Sequence, residues 1–368
     1  MKRTLKKQDI IEILYGATFL GGGGGGSLCF GVDMLNKLEK EGEIIELELL
    51  SLDEIQDNEY AAMVAGLGSP VAMLDGVFGP DAVNAFLAYQ KAFSAEGKQV
   101  KYLYSGEMGG LNTFVPMMVA ILSDKNVTRR IKFVDTDGCG RAVPELNTAL
   151  VSARGYAPYP IGLGNGAGDQ IIAYPTNDKA AEVIARQLCM AYDMKIGFAT
   201  WGLNKAEMEE NTAVGYVSYA QEIGKAFLKF KGNSDIDPMD EFKKVMQIRE
   251  CCRGVIENIE IKQDGGFDYG VTTIAGVGGS KYYIDFKNEN LIVRDDDEKV
   301  IITAPEIICF MDLETGEPLT NADTKVGMQI LVALSPAESK WWKEDKRANE
   351  CWLPLLDLVG YKGPQIRF

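Results

Sequence analysis

The first half of the chain repeats an order of strand, glycine-rich loop and helix. Short apolar runs end in glycine-rich loops, and segments with apolar residues three or four positions apart follow them. The pattern predicts strands at residues 43–50, 60–65, 100–104 and 131–134, and helices at residues 8–19, 32–40, 80–95, 111–123 and from about 144. This alternation favours a layered α/β/α domain with a largely parallel sheet, whose strand-end loops gather along one edge.

The second half begins with helical patterns and then changes to β-type patterns. Helices are predicted at residues 179–194, 211–230 and 239–252, and strands at 255–262, 267–275, 282–293, 300–310 and 327–334. Short strands with close turns favour a small antiparallel barrel or sandwich. We therefore predict an α/β fold with an amino-terminal α/β domain at 1–170, and a helical connection followed by a β-rich domain at 171–368.

Composition and charge narrow the class of partner. Hydrophobic residues make up 46% of the 368 residues, and the formal net charge is −15 without a long run of Lys or Arg. A nucleic-acid backbone or an anionic membrane surface is therefore not expected as a partner. The expected ligand is a small molecule.

Targeting and cysteine patterns predict a cytoplasmic protein. Gln8, Asp9 and Glu12 interrupt the apolar stretch near the amino terminus, which is unlike a signal peptide. No apolar run reaches the roughly 18 residues that suggest a membrane span. The seven cysteines are scattered without the spacing of a metal site or a dense disulfide framework.

The chain contains no histidine, and this limits its chemistry. A Ser-His-Asp triad, a Cys-His dyad and His-ligated zinc are all excluded. Any catalysis has to use carboxylates, thiols, Lys, Tyr, Arg, amides or a carboxylate-bound metal.

The richest group of reactive side chains follows the predicted strand at 131–134. Asp135 and Asp137 lie on the same side of an extended chain, where they could chelate a divalent cation or act as base and acid. Glu145 or Glu107 would have to complete a metal site. The structural alternative is that the two aspartates cap a helix.

The same loop contains a thiol and a guanidinium. Cys139 could be a nucleophile if Arg141 and nearby N–H groups deprotonate it, although small buried cysteines usually only pack. Arg141 could stabilise an anion or pair with a carboxylate.

A second group lies in the segment SGEMGGLN, residues 105–112. A carboxylate and an amide, Glu107 and Asn112, can recognise the donor and acceptor edge of a cyclic amide or ureide, although Asn112 could instead cap its helix. Glycine-rich loops let the backbone approach such a ligand. None of them reads GxxxxGK[ST], so no nucleotide is expected. The candidate ligand-binding residues of these loops are Gly22, Gly23, Gly24, Gly25, Ser69, Gly109 and Gly110.

A third group interrupts the β-type pattern after Phe286. Asn288, Glu289 and Asn290 could form a bulge that faces the loops of the other domain and completes an interdomain site. They could equally form a solvated turn.

Several motifs in a fixed order resemble one family. They are GGGGGG (21–26), GLGSP (66–70), GEMGGLN (106–112), DTDGCGRAVPEL (135–146), NENLI (288–292) and APEIICFMDLETGEPL (304–319). Together they resemble the S-methyl-thiohydantoin desulfurase family, which is often linked with hydantoinase and oxoprolinase genes. The resemblance implies two domains and chemistry on a five-membered imidazolidine ring, such as removal of sulfur from a thiohydantoin. The family commonly has Met where this chain has Cys139, which favours carboxylates over a thiol mechanism.

The leading hypothesis is a hydrolase in which a carboxylate, or a carboxylate-bound divalent metal, activates water for attack on such a ring. The alternative is a non-catalytic accessory or ligand-binding subunit of a hydantoinase or oxoprolinase system. A homo-oligomer is expected, with an association to a hydantoinase-type enzyme as a further expectation. The predicted catalytic residues are Asp135, Asp137, Glu145, Glu107, Arg141 and Cys139.

Overall fold

The computed structural model describes residues 2–68, 78–233, 235–264, 267–343 and 348–368. The candidate residue Ser69 lies outside these ranges. The helices are α1 (Lys7–Leu20), α2 (Leu28–Lys40), α3 (Gly79–Ala95), α4 (Phe114–Leu122), α5 (Leu150–Ala153), α6 (Asp178–Ala191), α7 (Lys205–Asn211), α8 (Tyr216–Phe230), α9 (Pro238–Phe242) and α10 (Leu353–Leu358).

The first sheet combines parallel and antiparallel strands. Its strands are β1 (Arg3–Lys6), β2 (Glu46–Leu50), β3 (Tyr60–Gly68), β4 (Val100–Ser105), β5 (Lys132–Asp137), β6 (Ile161–Gly164), β7 (Gln170–Ala173), β8 (Lys195–Asn204) and β9 (Ala213–Val214). Their order is β1-β2-β5-β4-β3-β8-β6-β7, with β9 paired to β5. The pairs β2/β5, β5/β4 and β4/β3 are parallel, and the flanking pairs are antiparallel. The carboxyl ends of β3, β4 and β5 therefore meet at one edge.

Apolar side chains cover both faces of this sheet. Along β3, Ala62 and Val64 join the core formed with α1, α3, α4 and α8, whereas Ala61 and Met63 join the core on the opposite face. This alternation follows from the two-residue period of a strand. It confirms the predicted layered α/β domain.

The second sheet is antiparallel throughout. Its strands are β10 (Arg249–Asp264), β11 (Phe267–Gly276), β12 (Lys281–Lys287), β13 (Glu289–Asp295), β14 (Val300–Thr303), β15 (Ile307–Asp312), β16 (Pro318–Leu319) and β17 (Gln329–Ser335). Their order is β14-β13-β12-β11-β10-β17-β15-β16. Over the ranges that the structure covers, β14 and β16 do not pair with each other, so this β-rich domain is sandwich-like and not a closed barrel. Ile307, Cys309 and Met311 of β15 pack into the same core as α1 and α8.

Two of the predicted helices are wrong. The helix expected from about residue 144 is a 3-10 turn at Leu146–Thr148 followed by the short α5. The N–H groups that would begin it donate instead to the carboxylates of Glu107 and Glu182. Segment 239–252 forms only α9 before the chain enters β10, where pairing with β17 overrides helical propensity.

Two predicted strands are each two strands. Segment 282–293 turns at Asn288, which has a left-handed φ of 55°, and so forms the hairpin β12–β13. Segment 300–310 is interrupted at Pro305, since proline cannot donate to a strand ladder. The prediction omits β6, β7 and β8. Strand β8 comes after residue 170 in the chain but belongs to the first sheet. The domain division at residue 170 stays a prediction.

Within the described ranges, no helix combines the length and the apolar character needed to cross a membrane.

Candidate active site

The glycine run between α1 and α2 lies where the two domains meet. The Gly22 carbonyl accepts a hydrogen bond from the Asn290 N–H at 2.9 Å, and the Gly23 carbonyl accepts one from the Asn321 N–H at 2.8 Å. The asparagines belong to the β-rich domain, one in β13 and the other after β16. The glycine loop is therefore hydrogen-bonded to the second domain through its own backbone.

Two of these glycines lie in close contact with neighbouring groups, Gly24 with a side chain and Gly25 with the backbone. A Cβ at Gly24 would lie 1.9 Å from Glu289 Oε1, and a Cβ at Gly25 would lie 2.2 Å from the Met108 carbonyl oxygen. Gly109 packs on Gly25 from the other side, where its own Cβ would lie 2.1 Å from the Gly25 oxygen. The loop thus brings Glu289 against the loop that contains Met108 and Gly109.

Glu107, which follows β4, is held by two donors. Asn112 donates its side-chain N–H to Glu107 Oε1 at 2.6 Å, and the Val143 N–H donates to Oε2 at 2.9 Å. Asn112 in turn accepts a bond from the Gly66 N–H at 3.3 Å. Asn112 therefore orients a carboxyl group, and within the described residues its side-chain oxygen accepts from Gly66 and not from the helix that follows it.

Glu107 and Glu289 are neighbours from different domains. Glu289 is 4% exposed and Glu107 is mostly buried. Burial raises the pKa of Glu107 to about 7, although Val143 and Asn112 oppose the shift. Burial, followed by the charge of Glu107, raises the pKa of Glu289 well above its usual range. Raised pKa values favour the protonated forms of the two carboxyls.

Asp137 is a third buried carboxyl beside Glu107. Its Oδ1 accepts bonds from the N–H groups of Cys139 and Gly140, at 2.9 and 2.6 Å. Burial raises its pKa to about 7, with a smaller contribution from the charge of Glu107. The second carboxyl oxygens of both Asp137 and Glu289 find no hydrogen-bond partner within the described part of the chain. Such oxygens are costly to bury unless they are protonated or bind a ligand.

Asp135 is directed away from this group. Its carboxylate accepts bonds from the N–H and the hydroxyl of Ser218, in the first turn of α8. A carboxylate at a helix amino terminus is a stabilising cap. Asp135 and Asp137 thus accept hydrogen bonds from different groups. Where the structure describes the chain, no cluster of three Cys, Asp or Glu side chains is suited to a metal.

Arg141 is completely buried, and each of its three side-chain nitrogens donates to at least one backbone carbonyl. Its guanidinium lies 4.5 Å from the centre of the Trp352 ring. Burial lowers its pKa to about 10. The guanidinium donates to the backbone carbonyls of Ala142, Asn290, Pro305 and Glu306 at 2.7–3.2 Å. Because the last three belong to the β-rich domain, Arg141 links the two domains.

The remaining candidates lie in packing or turn positions. Cys139 is fully buried, and burial raises the pKa of its thiol well above the usual range, which favours packing over nucleophilic attack. Asn288 forms the β12–β13 turn and accepts a bond from the Asp268 N–H. Glu145 accepts a bond from the buried ammonium of Lys287, across the domain boundary.

The sequence reasoning did not single out Lys287 or Asn321. Lys287 directly precedes the Asn288–Asn290 tripeptide, and a lysine directly after Phe286 and next to three further polar residues is a signal that could have found it. Its ammonium lies 4.0 Å from the centre of the Phe267 ring. Asn321 has no comparable signal, because its role comes from tertiary contacts: its N–H donates to the Gly23 carbonyl and its side chain donates to the Asn288 carbonyl at 2.7 Å.

An open concavity of about 610 Å³ lies apart from these carboxyls. Tyr156, Tyr159, Tyr174 and Pro175 line it, and it contains no acidic or basic side chain. It therefore offers no acid or base near neutral pH.

Fold and site together define a two-domain α/β protein with buried carboxyls where its domains meet. The chain belongs to the S-Me-THD-like family: the N-terminal domain model matches residues 8–174 and the C-terminal domain model matches residues 176–354. A crystal structure of a protein from Chromobacterium violaceum is similar, with 22% identity, 99% coverage of both chains and a TM-score of 0.83. This likeness concerns the fold. No curated protein matches the chain.

Proposed function

We propose that the protein is a hydrolase of small five-membered cyclic amides or ureides, such as thiohydantoins and hydantoins. The family description supports a thiohydantoin-related function. The observation that carries the proposal is the pair Glu107 and Glu289, one from each domain. The glycine loop packs on Glu289 and on the Met108–Gly109 segment that follows Glu107, and the pKa values of both carboxyls are raised. Paired carboxyls with shifted pKa values are typical of acid–base catalysis.

The pair can supply both an acid and a base near neutral pH. In the proposed reaction, the ionised carboxylate removes a proton from water as the water oxygen attacks a ring C=O, C=S or C–S carbon. The protonated carboxyl then donates its proton to the departing nitrogen or sulfur. Asn112 holds Glu107 in position for this exchange.

Backbone N–H groups of the glycine loop are the proposed donors to the developing anion. Within the described residues, the N–H groups of Gly23 and Gly25 have no acceptor. Donors of this kind stabilise an oxyanion when they are fixed before the reaction. We assign them this role in place of Arg141, whose guanidinium is bonded to carbonyl groups. The homo-oligomer, the association with a hydantoinase-type enzyme and the cytoplasmic location stay predictions.

The test is turnover of a panel of hydantoins, 2-thiohydantoins and S-methyl-thiohydantoins, with and without divalent metals. Ring absorbance and released sulfur are measured for the wild type, Glu107→Gln, Glu289→Gln and the control Asp135→Asn. We expect each Glu variant to lose about 10²–10⁴-fold in kcat. Asp135→Asn, which alters a carboxyl outside the pair, should keep turnover within about threefold of the wild type.

Two outcomes would overturn the proposal. Wild-type turnover by folded Glu107→Gln or Glu289→Gln would remove the pair from the mechanism. Absence of turnover across the panel, together with a rise in Tm when a hydantoin is added, would instead support the accessory or ligand-binding subunit.

A further inference from the structure

Cys251 and Cys252 are adjacent in β10 at a break in its pairing with β17. Glu250 pairs with Ala333 and Cys252 with Val332, so Cys251 is the extra residue of a β-bulge. Neighbours in a regular strand point to opposite faces. Here Cys252 belongs to the core of the β-rich domain and Cys251 packs against that same core. The bulge therefore places two thiols on one face, and both are free.

A third side chain supports this placement. Burial raises the pKa of Tyr282 in β12, with smaller contributions from the charged forms of Cys252 and Cys251. Tyr282 also packs against the core that contains Cys252. Tyr282 and both cysteines thus pack on one core, as expected for side chains on a shared face.

The two thiols differ in accessibility and acidity. Cys251 is partly exposed and Cys252 is buried. The neighbouring Cys252 thiol lowers the pKa of the Cys251 thiol and the Arg249 guanidinium adds to this, although burial opposes both. The neighbouring Cys251 thiol, together with burial, raises the pKa of Cys252. Cys251 is therefore the better nucleophile. Cys252 is placed to attack a mixed disulfide formed at Cys251.

The other cysteines with exposed surface lack this activation. Cys29 is exposed, and burial together with the charges of Asp323 and Asp33 raises the pKa of its thiol. Burial raises the pKa of Cys351 to about 12. Reaction at neutral pH should therefore favour Cys251.

Adjacent cysteines make a strained disulfide. Their Cα atoms are about 3.8 Å apart, whereas ordinary disulfides span roughly 4.4–6.8 Å. Such a bond is easily reduced, which is typical of labile or regulatory disulfides. Cys251 has no partner residue in the β10–β17 register, so its peptide can turn without breaking the ladder.

We propose that Cys251 and Cys252 form a reversible redox site that a low-molecular-weight disulfide oxidises to a vicinal disulfide. The Cys251 thiolate attacks one sulfur of the small disulfide, forms a mixed disulfide and expels the first small thiolate, which takes up the proton lost by Cys251. The Cys252 thiol then loses its proton, attacks the Cys251 sulfur and expels the second small thiol. The protein loses two hydrogen atoms and two small thiols are formed. This site is independent of the proposed hydrolase.

The experiment uses the full chain carrying Cys29→Ser, which removes the exposed competing thiol. The protein is incubated with oxidised glutathione, and intact mass, free-thiol count and peptide mapping are measured. We expect the mass to fall by two hydrogen atoms and two thiols to be lost, with the bond mapped to Cys251 and Cys252. Reduced glutathione should reverse the change. Adding Cys252→Ser should stop the reaction at a mixed disulfide on Cys251, and adding Cys251→Ser should prevent it.

Three results would overturn the proposal. They are no modification at these cysteines, a mixed disulfide on Cys251 that persists while Cys252 stays free, and a disulfide between other residues. The protein with Cys29→Ser alone keeps both Cys251 and Cys252. Its result can therefore be interpreted even if adding Cys251→Ser or Cys252→Ser impairs folding.

Discussion

Two loops at the same edge of the first sheet contain very different numbers of reactive side chains. The loop after β5, taken as residues 138–146 together with the end of the strand, contains more reactive side chains. Most of these side chains form hydrogen bonds with other groups of the protein. Asp135 caps α8 and Arg141 donates to backbone carbonyls. The loop after β4 contributes mainly Glu107, yet the charge of this carboxyl raises the pKa of Glu289 from the other domain.

The difference shows what distinguishes a structural polar group from a candidate catalytic one. Most polar groups of the β5 loop are matched by fixed partners, so their charge states are settled by the fold. Asp137 is the exception, because its pKa is also raised and its second oxygen has no partner within the described residues. Glu107 and Glu289 have raised pKa values, and one oxygen of Glu289 is unpartnered within the described residues. A group that can still exchange a proton is the more useful one for chemistry.

The largest expected effect is on stability, from Arg141→Ala. Removing this guanidinium leaves four buried carbonyl groups without their donor, so we expect the free energy of unfolding to fall by about 3–5 kcal/mol. Urea denaturation measures it. The control Arg129→Ala removes an exposed arginine paired with Asp124 and should cost less than about 1 kcal/mol. Equal losses in the two variants would contradict the structural role of Arg141.

The next largest effect is a dependence of the free energy of unfolding on pH, which Asp137 causes. Folding raises its pKa from 3.8 to about 7, so the folded protein binds more protons between these values. The stabilisation is complete below about pH 4 and is lost as the pH rises to about 7. The free energy of unfolding of the wild type should therefore decline relative to Asp137→Asn over this range, by up to roughly 3 kcal/mol. A difference that stays constant with pH would mean that Asp137 is ionised in the folded protein.

The smallest effect is expected from Cys139→Ala. The thiol is fully buried, so its loss should cost about 1 kcal/mol through packing while kcat stays within about threefold. Thermal unfolding and turnover on the hydantoin panel measure the two quantities. A large loss of kcat in a protein that unfolds normally would restore the thiol as a nucleophile and weaken the contrast between the loops.

Much of the fold could be predicted from the sequence because local patterns encode it. The helix that became α1 and the strand that became β4 were placed within one residue of their ends. The Glu107–Glu289 pair could not be placed, since 182 positions separate its members and only tertiary packing joins them. The hydrophobic pattern likewise could not show that Asp135 would meet Ser218, because this contact depends on how α8 docks.

The contact at Gly24 means that the carboxyl pair exists only while the domains are docked. Glu289 reaches Glu107 across a junction where one added methyl group would occupy the position of its own oxygen. Neither domain alone contains both members of the pair. Opening of this junction would therefore stop the proposed chemistry, and it would also expose the core that Ile307, Cys309 and Met311 share with α1 and α8. The fraction of molecules in the docked state sets an upper limit on the active fraction.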